Sequence, residues 1–214
     1  MQIAILGAGN VGGALGRAWA RRGHTVTYGV PTPSDAKYAD VLAATPNARM
    51  ATVADAVQGA EAIVLAVPFD AVPTALANAG DLADRIVIDA TNPLRMGNAG
   101  LELSVGLTSS GGEQVAALAP GAAVFKTLNQ IGFEAMADPS VFRLKPVMFV
   151  AGNDEARKPT VMQLVTELGF EAVNAGGLAV SRLLEPFAML WIHMALNRKI
   201  GRDRAFVYLQ RGTE

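Results

Sequence analysis

The segment Gln2-Ile3-Ala4-Ile5-Leu6-Gly7-Ala8-Gly9-Asn10-Val11-Gly12-Gly13 decides the fold. Its opening five residues are a short apolar run, as a strand buried on both faces requires. Gly7 to Gly12 then reads G-x-G-x-x-G. Alone, that pattern is weak. Here a strand precedes it, and Val11 to Arg22 follows with Val11, Leu15 and Trp19 at helical spacing. Gly23 ends that helix, and Thr25 to Val30 forms a second strand, β-branched and aromatic. Strand, glycine turn, helix and strand within about thirty residues is the dinucleotide-binding pattern. Its glycines have separate tasks. Gly7 permits the tight turn, Gly9 lets a diphosphate approach the backbone, and Gly12 lets the helix press on the strand. With Ala8, Asn10 and Val11 they bring free N–H groups and a partial positive charge to the phosphates. The alternative is a glycine-rich turn with packing roles only.

The end of the second strand bears on which dinucleotide is held. NAD enzymes usually place an acid there for the ribose hydroxyls. This strand ends Tyr28-Gly29-Val30-Pro31, without one. That favours NADP, with Thr32, Ser34 and Lys37 as donors to the 2′-phosphate and Asp35 opposing them. The alternative makes Thr32 and Ser34 helix caps and Lys37 a solvated charge. Ligands of doubly wound sheets lie at the carboxyl ends of the strands. Ala66-Val67-Pro68 ends one strand and offers an apolar shelf beside a nicotinamide, or merely a strand stop. Asn92-Pro93 follows another, with Asn92 placed to hold the nicotinamide carboxamide unless it is only a turn. Lys126 and Asn129 follow a third and are candidate contacts to a redox acceptor; a solvated Lys and a turn-forming Asn are the alternatives.

Composition narrows the classes. The chain has 214 residues, a net charge of −1, 51% hydrophobic and 17% charged residues, no cysteine and two histidines. Disorder is excluded. No overall positive field exists to draw nucleic acid or a membrane surface. A thiol nucleophile, a disulfide scaffold and an iron–sulfur site are excluded together, and a multi-His metal site is not expected. No basic leader precedes Gln2, and no apolar run reaches the ~18–20 residues that span a bilayer. A cytoplasmic location is the expectation. His24 reads as a solvent-facing residue after a helix. His193 reads as a packed helical residue or, alternatively, a group near the acceptor. No acid–base pair and no nucleophile elbow are visible.

The remaining pattern alternates strands with helices: strands at 50–53, 62–67, 85–89, 122–126, 146–151 and 170–174, and helices at 34–44, 70–79, 110–118, 154–168 and 179–199. Ser34 is the expected N-cap of the 34–44 helix. Pro186 is expected to kink or split the last helix near its start. Residues 92–109 are Gly-rich and aperiodic and read as a functional loop. The fold class is therefore α/β: a Rossmann-type, doubly wound, mainly parallel sheet with a small C-terminal helical extension. Residues 1–150 would form the dinucleotide-binding part. Residues 151–214 would form a βα extension that walls an acceptor pocket or a dimer interface.

Several runs carry a resemblance that covers nearly the whole chain. These are the turn at Gly7 to Gly12, Asp89 to Leu94, Val124 to Asn129 with Met136 to Pro139, and Leu183 to His193. Together they resemble the F420-dependent NADP oxidoreductases, whose fold also occurs in the cytosolic domain of certain membrane metalloreductases. The resemblance implies NADPH in the glycine cradle and a flavin-like acceptor, coenzyme F420 or a flavin, over the nicotinamide. Members commonly carry an Arg just after the second strand; this chain has Pro31. Two rival readings are an NADPH-dependent metal or flavin reductase and a non-catalytic NADP-binding redox sensor. A small-molecule acceptor and a homodimer are the expected partners. An imine reductase is disfavoured, because it needs a longer helical C-terminal domain.

Overall fold

The computed structural model describes residues 1–97 and 100–211. The chain begins with β1 (Gln2–Leu6), α1 (Asn10–Arg21), β2 (Thr25–Gly29), α2 (Ala39–Ala43), β3 (Arg49–Ala51), α3 (Val53–Val57) and β4 (Ala62–Leu65). It continues through α4 (Val72–Ala79), β5 (Ile86–Asp89), β6 (Leu94–Gly97), β7 (Gly100–Leu103), α5 (Gly111–Leu118) and β8 (Ala123–Lys126). It closes with α6 (Phe133–Ala137), β9 (Val147–Gly152), α7 (Lys158–Leu168), β10 (Glu171–Gly176) and α8 (Ser181–Ile192).

Eight strands form one sheet in the order β10-β9-β8-β5-β4-β1-β2-β3. From β3 to β8 every pair is parallel; β9 lies antiparallel to β8, and β10 runs with β9. The strand order reverses at β1. Chain connections leave it toward β2 on one side and arrive at β4 on the other, which opens a crevice at the carboxyl ends of β1 and β4. Helices cover both faces, and β1 shows why. Ile3 and Ile5 enter one core with Trp19, Tyr28 and Phe125; Ala4 and Leu6 enter the other with Ile63, Leu76 and Val124. Alternate side chains thus lie on opposite faces, both dry, as the unbroken apolar run requires. Trp19 is fully buried, and its indole N–H donates to the carbonyl of Leu164 at 3.0 Å, tying α1 to α7.

Four local expectations are corrected. The 34–44 segment is a short 3₁₀ turn, Ala36–Tyr38, followed by α2, and Asp35 rather than Ser34 caps the turn by accepting from the Lys37 amide. Residues 92–109 are not wholly loop: β6 and β7 pair as an antiparallel ribbon. The final helix is α8 followed by a π-helical turn, His193–Asn197, and α8 runs unbroken through Pro186. Helix α6 has no counterpart in the sequence reading. Residue 150, the expected limit of the dinucleotide-binding part, lies inside β9. No helix among the described residues is long and apolar enough to cross a membrane.

Candidate active site

A cavity of about 500 Å³ opens where the sheet topology predicts it, at the carboxyl ends of β1, β2 and β4. Gly7, Ala8 and Gly9 form its edge. Gly7 sits at φ +108°, and a Cβ there would stand 2.5 Å from the carbonyl oxygen of Ala66. A Cβ at Gly12 would stand 2.1 Å from the carbonyl oxygen of Gly7. Both positions therefore need glycine for packing. Gly9 differs: a Cβ there would meet nothing within 4 Å. It is the N-cap of α1, no side chain caps that end, and the first turn holds no acid. The first amides of α1 are thus left to an incoming anion. Asn10 is exposed at that end, and Val11 is half-buried against the core.

Gly29, Val30, Pro31, Lys37 and Tyr38 form one wall of the cavity. Ala66, Val67 and Pro68 form the facing one, and Thr74 and Asn78 reach in from α4. Residues 66–68 thus give the cavity an apolar face. Thr32 and Ser34 are exposed and outside the lining. Lys37 lines the cavity with its ammonium 2.9 Å from Asp35 and stacked 4.9 Å from the Tyr38 ring centroid. The two charges hold each other: hydrogen bonds from Lys37 lower the Asp35 carboxyl below its ordinary pKa, and Asp35 raises the Lys37 ammonium above its own.

The strand ends on the other half of the sheet are arranged differently from expectation. Lys126 is fully buried and not solvated. Its ammonium lies 2.9 Å from Asp89 and 3.0 Å from Glu185, and donates to the Thr91 carbonyl at 2.7 Å. Asp89 also accepts from the amide and hydroxyl of Thr91. Glu185, at the middle of α8, accepts from the amides of Gly111 and Gly112 at 2.9 and 3.0 Å. It thereby caps α5 from another helix. A charge taken out of water needs such partners. Asn92 and Asn129 pair with each other: the Asn92 amide donates to the Asn129 carbonyl at 2.9 Å, and its own side-chain oxygen accepts from Asn129 at 3.1 Å. The Asn92 carboxamide is thus engaged within the protein. Pro93 is buried beside it. These contacts join the loops after β5 and β8 to α8.

Histidines also depart from expectation. His24 is largely covered, with Nε2 2.7 Å from Glu167. His193 is exposed in the π-helical turn, 3.4 Å from the Asn197 amide, and is not packed. Sequence reasoning missed Glu185 and Asp89 as partners of Lys126. A signal existed: lone charges in otherwise apolar segments need one another.

A family profile described as NADP oxidoreductase, coenzyme F420-dependent, matches residues 2–93. A protein of Arthrobacter sp. FB24, provisionally described as an F420-dependent NADP reductase, is 32% identical over 98% of this chain and all of that one, with a TM-score of 0.91. The chain belongs to the coenzyme F420-dependent NADP oxidoreductase family. As such an oxidoreductase it carries a glycine-edged cavity at the carboxyl ends of β1, β2 and β4. A hypothetical protein of Sinorhizobium meliloti is 28% identical over 86% of this chain and 90% of that one, with a TM-score of 0.73. A reductive aminase from Aspergillus terreus, solved with NADPH and ethyl-5-oxohexanoate, shares the fold at 20% identity and a TM-score of 0.67. This oxidoreductase covers 63% of that enzyme, while the enzyme matches 92% of this chain.

Proposed function

We propose that the protein transfers a hydride between NADPH and a flat, flavin-like acceptor, with coenzyme F420 the first candidate and a flavin the second. The observation that carries the reading is the open, uncapped start of α1 beside Gly9, in a chain of this family. When bound, NADPH supplies the hydride, and the acceptor takes it together with a proton from solvent. The first amides of α1 would hold the diphosphate, and Lys37 would face the 2′-phosphate. Ala66, Val67 and Pro68 would shield the dinucleotide from water. The paired Asn92 and Asn129 and the buried Lys126 would fix the loops at the nicotinamide end rather than move protons. No general acid is needed for such a transfer, which depends on position and the exclusion of water.

The acceptor would lie between that end and α8. Leu183, Leu190, Met194, Leu196, Tyr208 and Leu209 are exposed along α8 and the following chain, which supports a homodimer that covers them. The reaction would take place in the cytoplasm. The test is steady-state oxidation of NADPH and of NADH with F420, a free flavin or a ferric chelate, each alone. Turnover with F420 supports the proposal. Turnover only with flavin or ferric chelate favours the metal or flavin reductase. NADPH binding without turnover on any acceptor makes the protein a sensor.

A further inference from the structure

We propose that Asp35 tunes dinucleotide selectivity by neutralising Lys37, so that removing the Asp35 charge tightens binding of NADPH and leaves NADH unaffected. This rests on the placement of the dinucleotide in the cavity along β1, β2 and β4.

The argument starts from what the end of β2 lacks. Val30 and Pro31 offer no acid to a ribose and no cation to a 2′-phosphate. Thr32 and Ser34 stand outside the cavity lining. Lys37 is the only cation in that lining among the described residues. It is already paired in place: Asp35 holds its ammonium at 2.9 Å, and the same carboxylate accepts from its backbone amide at 3.0 Å. Asp35 therefore does two separable things. It caps the 3₁₀ turn that brings Lys37 and Tyr38 to the cavity, and it places a negative charge where a dianionic 2′-phosphate would have to compete for the same ammonium. The pair is exposed enough to exchange partners, with side-chain exposures of 62% for Lys37 and 36% for Asp35. The 2′-phosphate is what distinguishes NADPH from NADH at this corner. A charge that competes with it lowers the preference for NADPH without touching the diphosphate cradle.

Asn caps as well as Asp does, so Asp35→Asn removes the charge and keeps the turn. The experiment is isothermal titration of wild type, Asp35→Asn, Lys37→Ala and the double variant with NADPH and with NADH at low ionic strength. Asp35→Asn should lower the Kd for NADPH about fivefold, the size of one exposed charge contact, and change that for NADH less than about twofold. Lys37→Ala should weaken NADPH more than NADH. In the Lys37→Ala background the Asp35→Asn gain should shrink below about twofold, since no ammonium is left to release. An unchanged NADPH-to-NADH ratio in Asp35→Asn, or an equal gain with and without Lys37, overturns the proposal while leaving the cavity assignment intact. Failure of wild type to bind either dinucleotide overturns both.

Discussion

Replacing Lys126 by Met tests whether the sheet and α8 are joined by charge or only by packing. Met is close to Lys in length and apolar, so the change removes the ammonium with little change in volume. In the native protein that ammonium lies 2.9 Å from Asp89 and 3.0 Å from Glu185 and binds the Thr91 carbonyl, and all three side chains are buried to within 1%. Without it, Asp89 keeps only its Thr91 donors and Glu185 only the amides of Gly111 and Gly112. Two carboxylates then share a dry site without a counter-charge. Removing one partner of a buried pair costs about 3–5 kcal/mol. With an m-value of about 2 kcal/mol/M, the urea midpoint should fall by about 2 M. The assay is equilibrium urea unfolding followed by far-ultraviolet circular dichroism. A triple variant, Lys126→Met with Asp89→Asn and Glu185→Gln, removes all three charges and should recover most of the loss. A Lys126→Met protein within about 1 kcal/mol of wild type would refute the reasoning. So would a triple variant no more stable than the single one.

Other consequences are as direct. Gly9→Asp should leave the fold intact, because a Cβ there meets nothing within 4 Å, and should weaken NADPH by about a hundredfold or more through like-charge contact with the diphosphate. Unchanged affinity in a titration would reject the cradle. Gly12→Ala should cost about 1–3 kcal/mol, since its Cβ would stand 2.1 Å from the Gly7 carbonyl oxygen; an unmoved urea midpoint would contradict that packing. Glu113 is held below its ordinary pKa of 4.5 by hydrogen bonds from Arg182. Its folded-state pKa is depressed, so its contribution is complete above the ordinary value and is lost as pH falls through the depressed one. Arg182→Ala should therefore flatten the fall of stability with acid in that window, and an identical acid profile would argue against the pair.

How much of this was legible depends on whether local pattern or distant partners decide a segment. The first strand, turn and helix were readable because Gln2 to Arg21 obeys one period at a time, and the G-x-G-x-x-G spacing marks the turn even though Gly7 is held by the distant Ala66 carbonyl. The direction of β9 and β10 was not, because a run such as Val147 to Gly152 is apolar whichever way it lies. The ribbon β6–β7 is not legible in the sequence because its residues are half-buried at most and show no clean alternation. Of the cavity lining, the glycine edge, residues 66–68 and Lys37 are legible from their places at and after strand ends. The roles of Asn92, Asn129 and Lys126 were not, because each is decided by a partner 35 or more residues away. Residue type alone favours Ser34 as the cap, but Asp35, one step later, has the geometry.

Glu185 has one further consequence. It stands in the last helix yet completes the start of α5 and the surroundings of Lys126. A truncated protein ending after β10 would lose that carboxylate and expose the beginning of α5. The part of the chain before α8 should then not be recoverable as a free-standing fragment, and adding back a peptide of α8 should be the way to restore it.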